Sequence, residues 1–298
     1  MYVAKNQENN EYVVAMAGTN PVSVYDWFIE DFDVSVSNQK DWTYNPKAVD
    51  EYSAKISAGT DKSLTTLLSM KDPTSNQDLK TFLEGEIGQN PSNVELIFTG
   101  HSLGGALSPA LALAINDLED GKWSDIISVY PSAGPTSGNQ GFSEYYDKTL
   151  GNQTTRIWNK IDVVPYAWDE KLIAEVSTLY PEFNIITNVT KENTNAPGIF
   201  VCTLIGLAEK NAENGGYTQI RPDVKGLPGK YEPNPSLKSS TDNDSVSESI
   251  SISSVDEIDG VSFSTLKSLL GDIKEIIELP QQGCPNVSEG RFTAEITD

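Results

Sequence analysis

Apolar and polar positions near the start of the chain follow a strand-like pattern. Residues 2–4 and 12–17 are two short apolar runs, and residues 6–10 between them are a polar stretch rich in Asn. Two such runs around a polar turn are typical of a β-hairpin, which we place at the edge of a sheet. Gly18 and Pro21 then end the second strand.

The pattern changes to helical periodicity further along the chain. Residues 22–74 are mixed, and we predict one helix near residues 47–57 with loops around it. Ser75 is predicted to cap the next helix, with Asp78 at the third position after it. The apolar side chains of that helix fall on one face, at Leu79, Phe82, Leu83 and Ile87.

The clearest succession of elements surrounds residues 100–105, which read Gly-His-Ser-Leu-Gly-Gly. An apolar strand at residues 94–99 precedes them, and a helix from residue 103 to about 118 follows, so small and apolar that it should be buried. Further strands are predicted at residues 126–130 and 155–158. This alternation predicts an α/β fold, a mostly parallel central sheet with helices on both faces.

The second half of the chain contains a polar tract between predicted helices. Helices are expected at residues 169–180 and 199–212, and a last one at residues 262–279 has an apolar stripe that would pack on the core. We therefore predict a single domain, residues 1–298, with a flexible Ser/Asp-rich surface insert at about residues 234–260.

Charge and composition limit the partners of the chain. The 298 residues contain 43 Asp and Glu against 21 Lys and Arg, a formal net charge of −22, which repels nucleic acid and anionic membranes. No apolar stretch approaches the ~18 residues of a membrane span. The first five residues lack the apolar region of a secretory signal. We therefore expect either a cytoplasmic protein or a secreted one whose leader is missing from this chain.

Cysteines and acidic residues give no sign of a metal or cofactor. Cys202 and Cys284 are too far apart for a metal-ligand pair, and either two free thiols or one disulfide would fit. The acidic residues of the insert lack the spacing of a calcium-binding EF-hand loop. We expect neither a metal nor a cofactor.

The turn at residues 100–105 has the residue types that an exposed nucleophile needs. Strand, tight turn and helix together are typical of the nucleophile elbow of α/β-hydrolases, in which the serine sits in a strained conformation. The glycines leave room where strand and helix crowd together. Ser102 would stand at the helix N-terminus, where the amide of Leu103 could stabilise an oxyanion.

Two further residues are candidates for the same chemistry. Thr19 follows an early strand and could supply a second oxyanion donor, or be an ordinary turn residue. Asp162 follows the predicted strand at residues 155–158, where an acid could orient an imidazole, or be a solvated turn aspartate. A serine hydrolase normally uses a histidine as its base, and His101 is the only histidine of the chain.

Four segments make the chain resemble a class 3 (fungal-type) lipase: residues 17–20, 98–107, 134–139 and 156–165. They occur in the family's order and cover roughly residues 1–170. The resemblance implies an α/β-hydrolase fold and hydrolysis of carboxylic esters, often acylglycerols. It implies a lipid or ester small-molecule substrate and transient contact with a lipid interface.

The resemblance also assigns site residues. It implies Ser102 as nucleophile, Asp162 as triad acid, Thr19 and Leu103 as oxyanion donors, and a lid within residues 31–71. The family's histidine lies near the C-terminus, where this chain has none, and Asp272 falls at about its position.

Two interpretations of the altered base position stay open. Asp272 could act as a poor base if burial raised its pKa, or be a surface aspartate in an altered site. His101 is not expected to substitute, because in the family this histidine packs beneath the turn. Three functions follow as hypotheses: a lipase or esterase with an unusual base, a catalytically silent lipid- or partner-binding member of the family, and another acyl-transfer enzyme such as a thioesterase. The sequence predicts no oligomeric state.

Overall fold

The computed structural model describes residues 1–6, 8–18, 33–88, 91, 93–173, 175–176, 179 and 212–229, and the backbone of 257–258 and 261–262. Within these residues the strands are β1 (Tyr2–Asn6), β2 (Glu11–Met16), β3 (Lys40–Asp41), β4 (Lys55–Ile56), β5 (Glu95–His101), β6 (Ile127–Ser132), β7 (Glu257–Ile258) and β8 (Val261–Ser262). The helices are α1 (Pro46–Tyr52), α2 (Ala58–Ser69), α3 (Leu79–Ile87), α4 (Leu103–Leu118), α5 (Gln140–Leu150) and α6 (Glu170–Ile173). None of the described helices is long and apolar enough to cross a membrane.

The main sheet of the described part has the strand order β1-β2-β5-β6. β1 pairs with β2 in an antiparallel hairpin at the edge, whereas β2, β5 and β6 are parallel to one another. In this register Val14, Phe98 and Val129 lie side by side, and all three are fully buried. The sequence-based prediction of an edge hairpin and a mostly parallel sheet is therefore confirmed.

The core lies between one face of this sheet and the helices. α4 is buried along almost its whole length, from Gly104 to Asp117, because its side chains are nearly all small or apolar. α2, α3 and α5 contribute further apolar side chains, and Trp42 in the connection after β3 is fully buried among them. The helix predicted from residue 103 to about 118 is confirmed.

Several predicted elements differ from the structure. The helix expected near residues 47–57 ends at Tyr52, where Ser53 adopts a left-handed conformation, and β4 follows. The cap of α3 is Asp78, whose side chain accepts a hydrogen bond from the Thr81 amide, so assigning the cap to Ser75 was wrong. The helices α2 and α5 were not predicted.

Part of the segment expected to hold a lid packs into the core. Within residues 31–71, the side chains of Trp42, Ile56 and Leu64 are buried in the main cluster. A lid must leave the surface without exposing the core, which residues 41–69 could not do. Residues 41–69 are therefore not a lid, and a lid elsewhere within residues 31–71 stays a prediction.

The predicted strand at residues 155–158 is present only as isolated bridges. Thr154 pairs with Val129 and Ile157 with Ser132, both in the parallel direction, next to β6. This extended segment continues the sheet beyond β6 without forming a regular strand.

The remaining predictions fall mostly outside the described residues. These include Thr19, Asp272, Cys202, Cys284, most of the helix at 199–212 and most of the insert at 234–260. Within the predicted insert, residues 257–258 form β7. Ser262, where the last helix was predicted to begin, belongs to the strand β8, so that start of the helix was wrong.

Candidate active site

Ser102 occupies a strained turn between β5 and α4. Its backbone angles are φ 57° and ψ −120°, a region that costs a non-glycine residue roughly 1–3 kcal/mol. Two backbone hydrogen bonds hold it there: the Ser102 amide donates to the Ser132 carbonyl (3.0 Å), and the Ser102 carbonyl accepts from the Ala106 amide (3.1 Å). The side chain makes no capping hydrogen bond to α4 and is half-buried, so its hydroxyl is not committed to the helix.

Close backbone approach explains the glycines around this turn. An ideal Cβ added to Gly100 would lie 2.4 Å from the Gly104 carbonyl oxygen, and one on Gly105 would lie 2.3 Å from that of Ser132. Real Cβ atoms do not approach backbone so closely, because the atoms would overlap. The glycines therefore allow α4 to start directly against the ends of β5 and β6.

The start of α4 offers a donor beside Ser102. Leu103 is the first residue of the helix, so its backbone N–H has no acceptor within the helix. The positive end of the helix dipole lies at the same place. Gly18 also lies against the turn, since an ideal Cβ on it would be 2.9 Å from the His101 carbonyl oxygen and 3.5 Å from Ser102 Cβ. Thr19 itself is outside the described residues.

Asp162 lies in a tight turn at the same edge of the sheet. Its carboxylate oxygen Oδ1 accepts a hydrogen bond from the Val164 amide (3.0 Å), and its own amide donates to the Asn159 carbonyl (3.1 Å). The Ile157 amide donates to Pro131, and the Ala133 amide to Ile157, which anchors the segment beside β6. Ser102 and Asp162 thus both follow the carboxyl ends of parallel extended segments, with β6 between the two, at the edge where sites form in α/β folds.

A second apolar cluster supports the Asp162 turn. It contains the buried side chains of Tyr166, Trp168, Ile173 and Tyr217, and Leu103 and Trp158 pack against it. The ring of Trp158 meets that of Tyr166 edge to face at 5.7 Å. The hydroxyl of Tyr166 donates to the Lys160 carbonyl at 2.8 Å. The turn is thus packed from below and tied by its own hydrogen bonds.

A buried guanidinium lies behind this turn. Arg156 is only 8 % exposed, and its Cζ lies 5.0 Å from the centre of the Trp158 ring. Burial lowers the pKa of Arg156 to about 10, although the nearby carboxylates of Asp169 and Asp147 favour its charged form. The residue therefore keeps its positive charge at neutral pH.

His101 does not pack beneath the turn as expected from the family. It ends β5 with an exposed side chain, on the sheet face opposite to that of Phe98. Successive strand residues point to opposite faces, and Phe98 points to the face that α4 covers. Within the described residues no group of three or more His, Cys, Asp or Glu side chains is placed to hold a metal ion.

Residues that secure the Asp162 turn were missed in the sequence. Gln219 is only 3 % exposed, and its side-chain amide donates to carbonyls on both sides of the site. Its backbone amide donates to the carboxylate of Asp169 at 3.1 Å. No periodic pattern or motif marks Gln219, because its role comes from tertiary contacts with residues distant in the sequence.

Known proteins resemble this chain in sequence and in fold. The family model described as lipase (class 3) matches residues 13–170, more than half of the chain. The crystal structure of M37 lipase is 36 % identical, with 78 % of this chain and 68 % of that chain covered and a TM-score of 0.66. Lipase II from Rhizopus niveus is 23 % identical, with 57 % and 56 % covered and a TM-score of 0.45. The Rhizomucor miehei triacylglyceride lipase is 21 % identical, with 55 % and 54 % covered and a TM-score of 0.40.

The residues matched by the family model include the strand–turn–helix that carries Ser102 and the turn that carries Asp162. The fold is that of the α/β-hydrolase lipases, with a mostly parallel sheet and a helix that starts at the serine turn. The chain belongs to the class 3 lipase family.

Proposed function

We propose that the protein hydrolyses carboxylic esters of the acylglycerol type and that Ser102 is its nucleophile. One observation carries the proposal: Ser102 sits at positive φ at the start of α4 with its hydroxyl free of capping. Membership of a lipase family supports a lipid-ester substrate. The negative net charge of −22 favours neutral esters over polyanionic substrates.

The proposed reaction follows the usual course of serine esterases. Ser102 Oγ attacks the ester carbonyl, its proton passes to a base, and the C–O bond to the alcohol breaks as the alcohol regains a proton. The amides of Leu103 and Thr19 would stabilise the oxyanion, and Asp162 would orient and charge-stabilise the base. Water then hydrolyses the acyl-enzyme and releases the fatty acid.

The base is the unusual part of the proposal. His101 is the only histidine among the 298 residues, and its exposed side chain projects from the end of β5. Removal of the histidine base from a serine hydrolase costs about 10⁶ in turnover, whereas the oxyanion hole alone retains roughly 10³–10⁴ over water. We therefore propose slow Ser102-dependent turnover by this chain, with Asp272 as the candidate base.

Ester hydrolysis tests the nucleophile. Short- and long-chain p-nitrophenyl esters would be supplied to the wild type, to Ser102→Ala and to Ser69→Ala, a serine at the exposed end of α2. We expect Ser102→Ala to abolish turnover above background and Ser69→Ala to leave it unchanged. Equal rates in the wild type and Ser102→Ala would refute the proposal.

A separate substitution tests the base. Restoring an imidazole with Asp272→His should raise ester hydrolysis by several orders of magnitude if this position is where the family places its histidine. An unchanged rate in Asp272→His would show that the assignment of the base position is wrong. It would not bear on the role of Ser102, which the Ser102→Ala variant tests separately.

Lipid binding without turnover is the second candidate function. It is favoured by the lack of a second histidine to act as the catalytic base, since the single histidine, His101, is exposed. A fluorescent fatty-acid analogue that binds equally to the wild type and Ser102→Ala, with no hydrolysis by either protein, would establish it. Hydrolysis of acyl-CoA in preference to p-nitrophenyl esters would instead indicate a thioesterase.

A further inference from the structure

Residues 212–229, here called the strap, run beside the candidate site although they lie outside the part matched by the family model. At one side the Gln140 amide donates to the Gly216 carbonyl (2.8 Å), which joins the strap to the start of α5. At the other side the Leu227 amide donates to Trp158 (2.8 Å), and the Lys160 amide donates to Leu227 (3.0 Å). The strap therefore connects α5 with the segment that leads into Asp162.

One side chain of the strap joins the two halves of the candidate site. Gln219 Nε2 donates to the carbonyl of Gly134 (3.0 Å) and to that of Pro165 (3.0 Å). Pro165 lies in the short helical turn Val164–Tyr166 that directly follows Asp162 and Val163. Both hydrogens of the amide are used, and the side chain is almost completely buried.

Gly134 belongs to the serine side of the site. An ideal Cβ on Gly134 would lie 2.4 Å from the Gly105 carbonyl carbon, so these backbones touch directly. Gly105 is in the first turn of α4, which starts directly after Ser102. A hydrogen bond to Gly134 is therefore a link to the helix that positions the serine, and a bond to Pro165 is a link to the Asp162 turn.

The backbone of Gln219 is itself held on both sides. Its amide donates to Asp169 Oδ2 (3.1 Å), and its carbonyl accepts from Ser143 Oγ (2.8 Å). Asp169 also accepts from the Lys171 amide at the start of α6, so its carboxylate is fixed in turn. The backbone that carries the side-chain amide of Gln219 is therefore fixed.

We propose that Gln219 is a positioning residue that sets the separation between the Asp162 turn and the turn that carries Ser102. Loss of the side-chain amide would leave the part-buried carbonyl of Gly134 and the buried carbonyl of Pro165 without this donor, and the Asp162 turn would relax. A displacement of about 1 Å at a catalytic group costs up to about a hundredfold in rate. The catalytic part of this inference rests on the proposed function, whereas the structural part does not.

The test compares Gln219→Leu with a matched control. Gln219→Leu keeps a side chain of similar size and removes both donors. Tyr145→Phe removes a buried hydroxyl that donates to Asp117 Oδ1 (2.7 Å) and accepts from Asn45 Nδ2 (2.8 Å). Asp117 lies near the end of α4 opposite Ser102, about 20 Å away at the rise of an α-helix, so the control loses comparable buried bonds far from the site.

Hydrogen exchange provides the readout that does not depend on activity. In Gln219→Leu the peptide covering residues 160–168 should exchange at least about tenfold faster relative to β5, because its amides are released with the turn. Tyr145→Phe should leave that ratio unchanged. An unchanged ratio in Gln219→Leu would overturn the inference, whatever the activity.

Ester hydrolysis below the unfolding temperature provides the second readout. We expect Gln219→Leu to lower kcat about tenfold to a hundredfold with KM within about twofold, and Tyr145→Phe to change neither. Equal kcat in Gln219→Leu and the control would refute the positioning role. If the wild type shows no Ser102-dependent turnover, the proposed function fails, and hydrogen exchange alone decides the inference about Gln219.

Discussion

Gly104 in the first turn of α4 shows how tightly the serine turn is packed. An ideal Cβ on Gly104 would lie 2.4 Å from the Met16 carbonyl oxygen and 3.0 Å from its carbonyl carbon. These atoms belong to the backbone of β2, so no side-chain rotation relieves the overlap. To reach ordinary van der Waals contact, Gly104→Ala must move α4 and β2 apart by about 1 Å.

Two opposing effects set the change in the free energy of unfolding: overpacking of the core and the higher helix propensity of alanine. Overpacking a core costs about 1–3 kcal/mol, and contact with backbone on a central strand places Gly104 at the upper end. Alanine in a helix regains about 1 kcal/mol over glycine. We therefore expect Gly104→Ala to lower the free energy of unfolding by about 2 kcal/mol.

Gly85 in α3 is the matched control, since the same substitution there should have the opposite effect. Gly85 is an exposed position within the helix, and an ideal Cβ would have no atom within 4 Å. Only the helix propensity changes, so Gly85→Ala should stabilise the protein by about 1 kcal/mol.

Urea unfolding followed by tryptophan fluorescence measures both variants. The prediction is a midpoint below that of the wild type for Gly104→Ala and above it for Gly85→Ala, with similar slopes. A Gly104→Ala variant as stable as the wild type would show that α4 does not start against β2 as closely as the structure has it.

Three further predictions concern other parts of the fold. Asp78→Ala should lower stability by about 1 kcal/mol because it removes the cap of α3, whereas Ser75→Ala should have little effect; equal losses in urea unfolding would contradict the assignment of the cap. Trp42→Ala should cost about 3–5 kcal/mol, since Trp42 is fully buried and its Nε1 donates to Asp117 Oδ2 at 2.7 Å; a midpoint close to that of the wild type would contradict its place in the core. Burial raises the pKa of Asp117, although the hydrogen bonds that it accepts favour the charged form. The stability that the protonated Asp117 contributes is therefore complete below the ordinary carboxyl pKa. It is lost as pH rises through the raised pKa. Unfolding of the wild type and Asp117→Asn from pH 4 to 8 should show the relative stability of the wild type falling with pH, and a relative stability that rises would contradict this sign.

The parts of the fold that could be predicted are those specified by local sequence. The hairpin of β1 and β2 follows from two apolar runs around a polar turn. Helix α4 follows from an unbroken small and apolar stretch after a glycine-rich turn. Ser102 could be predicted as the candidate nucleophile for the same reason, because strand, turn and helix are all encoded within a few residues of it.

The helices that were not predicted show why other parts of the fold could not be read from local sequence. α5 carries Phe142, Tyr145 and Tyr146 on its buried face, but Gly141 and several polar residues weaken its periodicity. Its start depends on Asn139, whose side chain accepts from the Phe142 amide and also from the distant Lys55 amide. Such a cap can be recognised only once the tertiary structure brings residue 55 to residue 139.

The residues of the candidate site also differ in whether the local sequence predicts them. Asp162 could be located because it follows an extended segment at the edge of the sheet. Gln219 could not, because its partners Gly134 and Pro165 come together only after the strap has packed across the site. Residues that position a site are set by long-range contacts, and these leave no local pattern.

Covalent labelling would show whether Ser102 is a nucleophile. A fluorophosphonate reacts with a serine hydroxyl that is accessible, nucleophilic and next to oxyanion donors. Peptide mapping by mass spectrometry of the labelled wild type and of Ser102→Ala would locate the adduct. We expect one adduct, on the peptide that contains Ser102, and none in Ser102→Ala. An unmodified Ser102, or an adduct that persists in Ser102→Ala, would contradict this prediction.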